Sequence, residues 1–270
     1  MAFAEHPDFQ PPPTVDATIW RYMDLAKFLS LLDRSELFFV RADKLAEIDP
    51  FEGYYTNANL EFENLPFEET PKEWRARTNI SDEGTFKSVV ENMKIIRRVV
   101  KEQRELTFIS SWHALEYESA AMWSLYVKTQ EGIAIQSTYE RFISSLAAYQ
   151  DFDIYAGMIR YIDYKREVIS MVNIFFPFMH KRKSFEHENE LRALIWTPQH
   201  GRNEIGNPSQ NKYLNVTGLY VKVDLGRLIS CIYVTPTAAA WTLDLLRSVV
   251  KKYGLEVEVI HSDLALAPVY

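Results

Sequence analysis

The chain has 270 residues, 47% of them hydrophobic and 14% aromatic, with only nine glycines, a composition that fills a large core and excludes an intrinsically disordered chain. Its formal net charge of -7 gives no general footprint for duplex nucleic acid, which needs a concentrated positive surface. The single cysteine, Cys231, excludes an intramolecular disulfide and a cysteine-built zinc site, and its apolar surroundings over 228–234 mark it as a buried structural thiol.

The opening residues, extended by Pro11-Pro12-Pro13, read as an arm over 1–16, followed by a single globular domain over 17–270. No stretch reaches the ~18 to 20 apolar residues that span a bilayer, so the expectation is a cytoplasmic protein without membrane contact.

Thr18 to Tyr22 alternates as a strand, and Asp24 caps a helix with Leu25, Phe28, Leu29 and Leu32 on one face. Leu37 to Val40 is a second strand, and Asp49-Pro50-Phe51-Glu52-Gly53 a turn. Residues 54–82 lack a clean period and read as a surface excursion, before Phe86, Val89, Val90, Met93, Ile96, Val99 and Val100 recur at helical spacing.

Leu106 to Trp112 reads as a strand, Glu118 to Tyr126 as a buried helix, and Ile133 to Ile135 as a short strand. Ser137 and Glu140 then have the spacing of a capping box. Beyond these come a strand over 158–164, an aromatic helical stretch broken by Pro177, and a strand over 191–196. Strands over 218–224 and 228–234 lead into an Ala-rich helix over 237–253 closed by Gly254, and a last strand runs over 255–261. Strand and helix do not alternate regularly, so the expected class is α+β.

No phosphate loop, dinucleotide fingerprint, His-Glu-x-x-His helix or Gly-x-Ser-x-Gly elbow is present. His113 and Glu116 make only a two-ligand metal pair, so no metal site is assigned. Alternation along a strand would put Glu188, Glu190 and Arg192 on one face, where two carboxylates repel unless a cation such as Arg192 or Arg21 answers them. Ser110-Ser111-Trp112-His113 ends a strand in groups suited to a cleft lining or to strand-end hydrogen bonds with Trp112 in the core. Ser119, Met122, Trp123 and Tyr126 share a helix face and read as core, whereas the basic runs Arg97-Arg98 with Lys101 and Lys181-Arg182-Lys183 read as solvated surface.

Several of these segments together resemble the bacterial family called domain of unknown function 2971. They are Trp20-Arg21-Tyr22-Met23-Asp24, Leu37-Phe38-Phe39, Arg41 to Leu45, Asp49 to Gly53, Ser111-Trp112-His113, Glu118 to Trp123 with Tyr126, 132–138 and 181–192. A more distant resemblance is to ADP-ribosyltransferases, which carry an Arg or His strand, a Ser-rich strand and a Glu-x-Glu strand, in that order, around a split sheet that grips NAD. Arg21, Ser110-Ser111 and Glu188-x-Glu190 follow that order.

The resemblance implies a split mixed or antiparallel sheet flanked by helices, and NAD as a consumed substrate. Arg21, Tyr22, Ser110, Ser111 and His113 would lie around NAD, with Glu190 stabilising the oxocarbenium-like charge and Glu188 orienting or deprotonating the acceptor. It also implies transfer to an unidentified protein or nucleic-acid acceptor, in the setting of a toxin or an antiphage defence effector. Trp112 departs from the usual Ser-Thr-Ser, and the intervals between the three motifs are long. Two other readings compete: a metal-dependent nuclease built on Asp43, Asp49, Glu52, Asp163 and Lys165, and a non-catalytic binding or sensor module.

Overall fold

Thr18–Asp24 forms β1, and Asp24 ends it by accepting the Lys27 backbone N–H at 2.8 Å, which caps α1 (Leu25–Arg34). Phe28, Leu31 and Leu32 form the buried face of that helix. Ser35, in the left-handed conformation at φ 52°, then turns the chain back as β2 (Glu36–Arg41). The computed structural model describes residues 2–171, 173–197, 213 and 215–266, apart from the side chains of residues 98, 100 and 101.

The stretch expected to be a surface excursion instead folds into α2 (Asn57–Phe62), a 3-10 turn (Phe67–Glu69) and α3 (Lys72–Arg77). Ala58, Phe62 and Trp74 pack with Phe86, Val90 and Met93 of α4 (Glu83–Leu106) as a separate apolar cluster. Helices of one or two turns are too short to display a 3.6-residue period. The start of α2 is also disguised, because its capping box pairs Thr56 with Asn59 rather than with Glu or Gln.

β3 (Thr107–His113), α5 (Ala120–Tyr126) and β4 (Gly132–Thr138) lie close to where the pattern put them. The Ser137 and Glu140 capping box does not form. Ser137 stays in β4 and donates to the Leu228 carbonyl, while Thr138 caps α6 (Tyr139–Ser145) by accepting the Arg141 N–H.

The strand expected over 158–164 is two, β5 (Ile154–Met158) and β6 (Arg160–Ile162), because the chain changes sheets at Ile159 and pairs next with β7 (His180–Arg182). Around Pro177, among the described residues, the 3-10 turn Phe176–Phe178 is the one helical element. β8 (Glu190–Trp196), β9 (Gly218–Lys222), α7 (Leu225–Leu228), β10 (Cys231–Val234), α8 (Ala240–Lys252) and β11 (Glu258–His261) complete the fold, with Gly254 at φ 73° after α8.

The protein is therefore α+β, with a mixed open sheet flanked by helices. Among the described residues, the parallel pair β10 and β11 joins an otherwise antiparallel nine-stranded sheet. Along one edge of β3, β8 pairs from Thr107↔Trp196 to His113↔Glu190. The other edge is shared: β2 pairs near its start through Val40↔Ile109, and β1 meets only its end through Trp20↔His113. Between those two points β1 and β2 diverge and the sheet is split.

The main core lies on one face, where Ile19, Met23, Phe108 and Trp112 meet Phe28 and Leu32 of α1, Phe142 of α6 and Leu246 of α8. Cys231 is buried, and burial pushes its thiol pKa up, as expected of a structural thiol. On the opposite face Trp20 and Tyr22 pack with Met122 and Trp123 of α5, but Ala120, Ala121, Ser124, Leu125 and Tyr126 are exposed, so that helix buries one face rather than being buried all round, and Tyr126 is not core.

The N-terminal arm is packed along the outer edge of β5. Ala4 donates to the Ile154 carbonyl at 3.0 Å, Ile154 to that of Ala2 at 2.8 Å and Met158 to that of Gln10 at 2.8 Å, and Phe9 packs tilted on Tyr155 and edge-on against Phe175. A Cβ at Gly157 would lie 2.7 Å from the Phe9 carbonyl carbon, a backbone contact that cannot swing aside. Gly157→Val is expected to lift the arm, costing roughly 1–3 kcal/mol as overpacking does. Thermal melting with limited proteolysis checks this, and a variant that melts like the parent with an equally protected arm would contradict it.

Candidate functional site

A cavity of about 550 Å³ opens where β1 and β2 part, within the ~300–1,000 Å³ range of small-molecule sites. Leu31, Leu37, Phe38, Val40 and Ile48 give it an apolar wall, and Glu52, Lys181, Glu188, Glu190 and Arg192 a charged floor.

The floor begins with the 3-10 turn Lys183–Glu188, which ends in Asn189 at φ 39° before β8 starts at Glu190. Asn tolerates that left-handed geometry better than most residues. Glu188 is therefore off the strand, which corrects the expectation of a three-residue strand face. The turn nevertheless returns Glu188 to Glu190, and Lys181 of β7 joins them, its Nζ donating to Glu188 Oε2 at 2.6 Å and to Glu190 Oε2 at 3.0 Å.

Glu190 also accepts from Ser111 Oγ at 2.6 Å, from Arg192 Nε at 2.7 Å and from Arg192 Nη2 at 3.1 Å, so both its oxygens are fully engaged. Arg192 reaches on to Glu52 at 2.5 Å and to the Phe178 carbonyl. Burial alone would raise the Glu190 pKa, but the charges of Arg192 and then Lys181 outweigh it and hold this carboxyl well below the usual range. Burial would likewise lower the Lys181 pKa, and the Glu190 charge reverses that. Three carboxylates meet two cations here, so the network keeps one formal negative charge.

Alternation along β1 sets Arg21 on the core face with Ser110 and Trp112, whereas Glu190 lies on the other face with Ser111 and His113. Only the split brings both to one cavity. Arg21 Nη1 donates to Ser110 Oγ at 2.6 Å, its Nη2 donates to the Phe38 carbonyl of β2 at 3.1 Å, and the guanidinium sits 5.6 Å from the Trp112 ring. Among the described residues no carboxylate pairs with it, and burial lowers its pKa to about 10. Lys181 and Arg192, not Arg21, are the cations that answer the glutamates.

His113 is 4% exposed and holds Nδ1 at 2.8 Å from the Glu188 carbonyl oxygen, a contact that fixes the proton on Nδ1. Burial lowers its pKa, partly opposed by that hydrogen bond and by Glu190. Tyr22 accepts the Ser119 N–H at 2.8 Å, and Tyr126 donates to Glu188 Oε1 at 3.1 Å. Ser111 and His113 thus line the cavity at the end of β3, Ser110 reaches it only through Arg21, and Trp112 is core at 0% exposure.

The carboxylates of the nuclease reading are dispersed among arginines. Asp43 pairs with Arg41, Asp49 with Arg182 and Glu52 with Arg192, while Asp163 accepts from Lys165 N in a separate turn. Among the described residues no three His, Cys, Asp or Glu side chains are grouped to hold a metal, and no helix is long and apolar enough to cross a membrane.

Sequence reasoning missed Lys181, which the run 181–183 disguised as surface and which is only 9% exposed. It also missed Tyr126 as a cavity residue and Tyr161, whose hydroxyl accepts the Glu190 N–H at 2.8 Å. Of the other basic run, Arg97 pairs with Glu63 at 3.3 Å, and the side chains of Arg98 and Lys101 lie outside the described residues. Compared with known proteins, the chain matches no family model and no curated protein.

The Glu190 pKa is depressed in the fold, so its stabilisation is complete above the unfolded value near pH ~4.3 and is lost as pH falls through the folded value. Glu190→Gln is expected to cost about 3–5 kcal/mol at pH 7 by leaving buried cations short of a partner. Urea unfolding of both proteins should show that gap narrowing below about pH 4.3; a gap unchanged into acid would show that Glu190 is not the buried anion described.

Proposed function

We propose that the protein is an NAD-consuming, ADP-ribosyltransferase-like enzyme of the family called domain of unknown function 2971. One observation carries this reading: an uncompensated guanidinium, Arg21, and a network with one net negative charge border the same cavity across the split in the sheet. NAD has the matching polarity, an anionic diphosphate beside a cationic nicotinamide riboside.

In this reading Arg21 holds the diphosphate, since a lone buried cation gains most from an anion that replaces its lost water. Ser110 fixes the guanidinium, and the apolar wall takes a ring of the dinucleotide. Glu188 keeps acceptor capacity beyond Tyr126 and Lys181, so it meets the ribose hydroxyls, while Glu190 supplies fixed charge behind it. The net negative charge then favours the oxocarbenium-like ribosyl that forms as nicotinamide leaves. Tyr22 closes the site beside His113, its ring centroid 5.9 Å from the imidazole. The acceptor is a protein or nucleic acid, and a toxin or antiphage effector role in the cytoplasm fits NAD consumption.

The test is incubation of the protein with labelled NAD and cell extract. Arg21→Ala is expected to raise KM for NAD about tenfold to a hundredfold, the value of a charge-assisted hydrogen bond. Glu188→Gln is expected mainly to lower kcat. Label transfer indifferent to both changes would sink the NAD reading.

A further inference from the structure

We propose that His113 is the general base that takes the proton from the nucleophile, a role that rests on the NAD reading. Glu190 has no free acceptor, and in that reading the acceptor capacity that Glu188 keeps beyond Lys181 at 2.6 Å and Tyr126 at 3.1 Å is taken by the ribose hydroxyls. His113 lines the cavity with Nδ1–H committed to the Glu188 carbonyl. Its Nε2 therefore carries a lone pair, and among the described residues that atom has no hydrogen-bond partner and is not sealed from solvent.

The surroundings keep the ring in that state. Tyr22 of β1 and Tyr126 of α5 flank it, with ring centroids 5.9 and 5.0 Å away. Lys181 of β7, Glu188 of the 3-10 turn and Glu190 of β8 supply the nearby charges, which act in opposite directions. Burial is the largest influence and favours the neutral imidazole. The Glu188 backbone joins the two roles, because the residue whose side chain faces the ribose also fixes the His113 tautomer.

In the reaction, the nucleophile's O–H proton passes to Nε2 and its oxygen forms a bond to the ribosyl C1′. The bond from C1′ to the nicotinamide nitrogen breaks, its electron pair returning to the pyridinium so that nicotinamide leaves uncharged. The proton then leaves the imidazolium for solvent. No oxidant or reductant is required. The nucleophile is water or a hydroxyl, because a neutral imidazole removes protons from such groups as they begin to bond.

Labelled NAD is given to wild type and to His113→Gln, with transfer followed to water and to extract proteins across a pH series and NAD affinity measured separately by titration. The expected result is a loss of about 10² to 10⁴ in transfer rate with NAD affinity retained. Wild-type transfer should also fall as pH drops through the lowered His113 pKa, and the variant should lose that acid limb. A variant that transfers at the wild-type rate with the same pH profile overturns the assignment and leaves the NAD reading standing, whereas wild type that binds no NAD overturns both. Nitrogen NMR of the wild-type ring needs no variant: protonated Nδ1 and basic Nε2 support the assignment, and the opposite neutral tautomer defeats it.

Discussion

Five charged side chains, Glu52, Lys181, Glu188, Glu190 and Arg192, are buried together where β3, β7 and β8 meet, and the architecture of the site depends on their mutual pairing. Removing charges from water costs several kcal/mol per ion, and a buried pair often stabilises less than well-packed apolar residues of similar volume. The network is tolerable only because its hydrogen bonds close on one another, on Ser111 and on the Phe178 carbonyl. It fixes three pieces of chain that share no continuous ladder: the turn after Asp49, the short β7 and the start of β8. An apolar core would hold those pieces as well; what it would not supply is a preset field at the cavity floor.

The split supplies the second constraint. Where β1 and β2 part, the hydrogen bonds of an intact sheet are missing, and Arg21 spans the gap by donating from β1 to the Phe38 carbonyl of β2. The same guanidinium is thus a structural tie and a cation of the cavity without a carboxylate partner among the described residues. Strand alternation alone would separate Arg21 from Glu190 by the thickness of the sheet. The gap removes that barrier, so the two groups border one cavity only because the sheet is incomplete.

Much of the fold was legible where an element was long enough to show its period. β1, α1, α4, β3 and β8 were all readable from alternation or helical spacing. α2 and α3 were not, since six residues cannot establish a helical repeat, and β6 and β7 are three-residue strands held by tertiary contacts. Within the site, Ser111, Glu188 and Glu190 were visible as polar residues in strand-like surroundings. Lys181 was invisible, because a basic tripeptide is ordinarily solvated and nothing local announces that its first member is capped by two buried glutamates. The pairing of Arg192 with Glu52, 140 residues apart, was equally beyond any local pattern.

The arrangement of charge also bears on why a glutamate pair at this spacing serves a purpose. Had β8 begun two residues earlier, Glu188 and Glu190 would stand side by side on one strand face, and both would need the same cations. The left-handed Asn189 moves Glu188 off the ladder, so that it shares Lys181 with Glu190 but leaves Arg192 to Glu190 and Glu52. One carboxylate is thereby saturated and the other only half engaged, from residues two apart in sequence. A difference in environment, not in residue type, divides the saturated carboxylate from the one with acceptor capacity to spare, and that division follows from the backbone turn at Asn189.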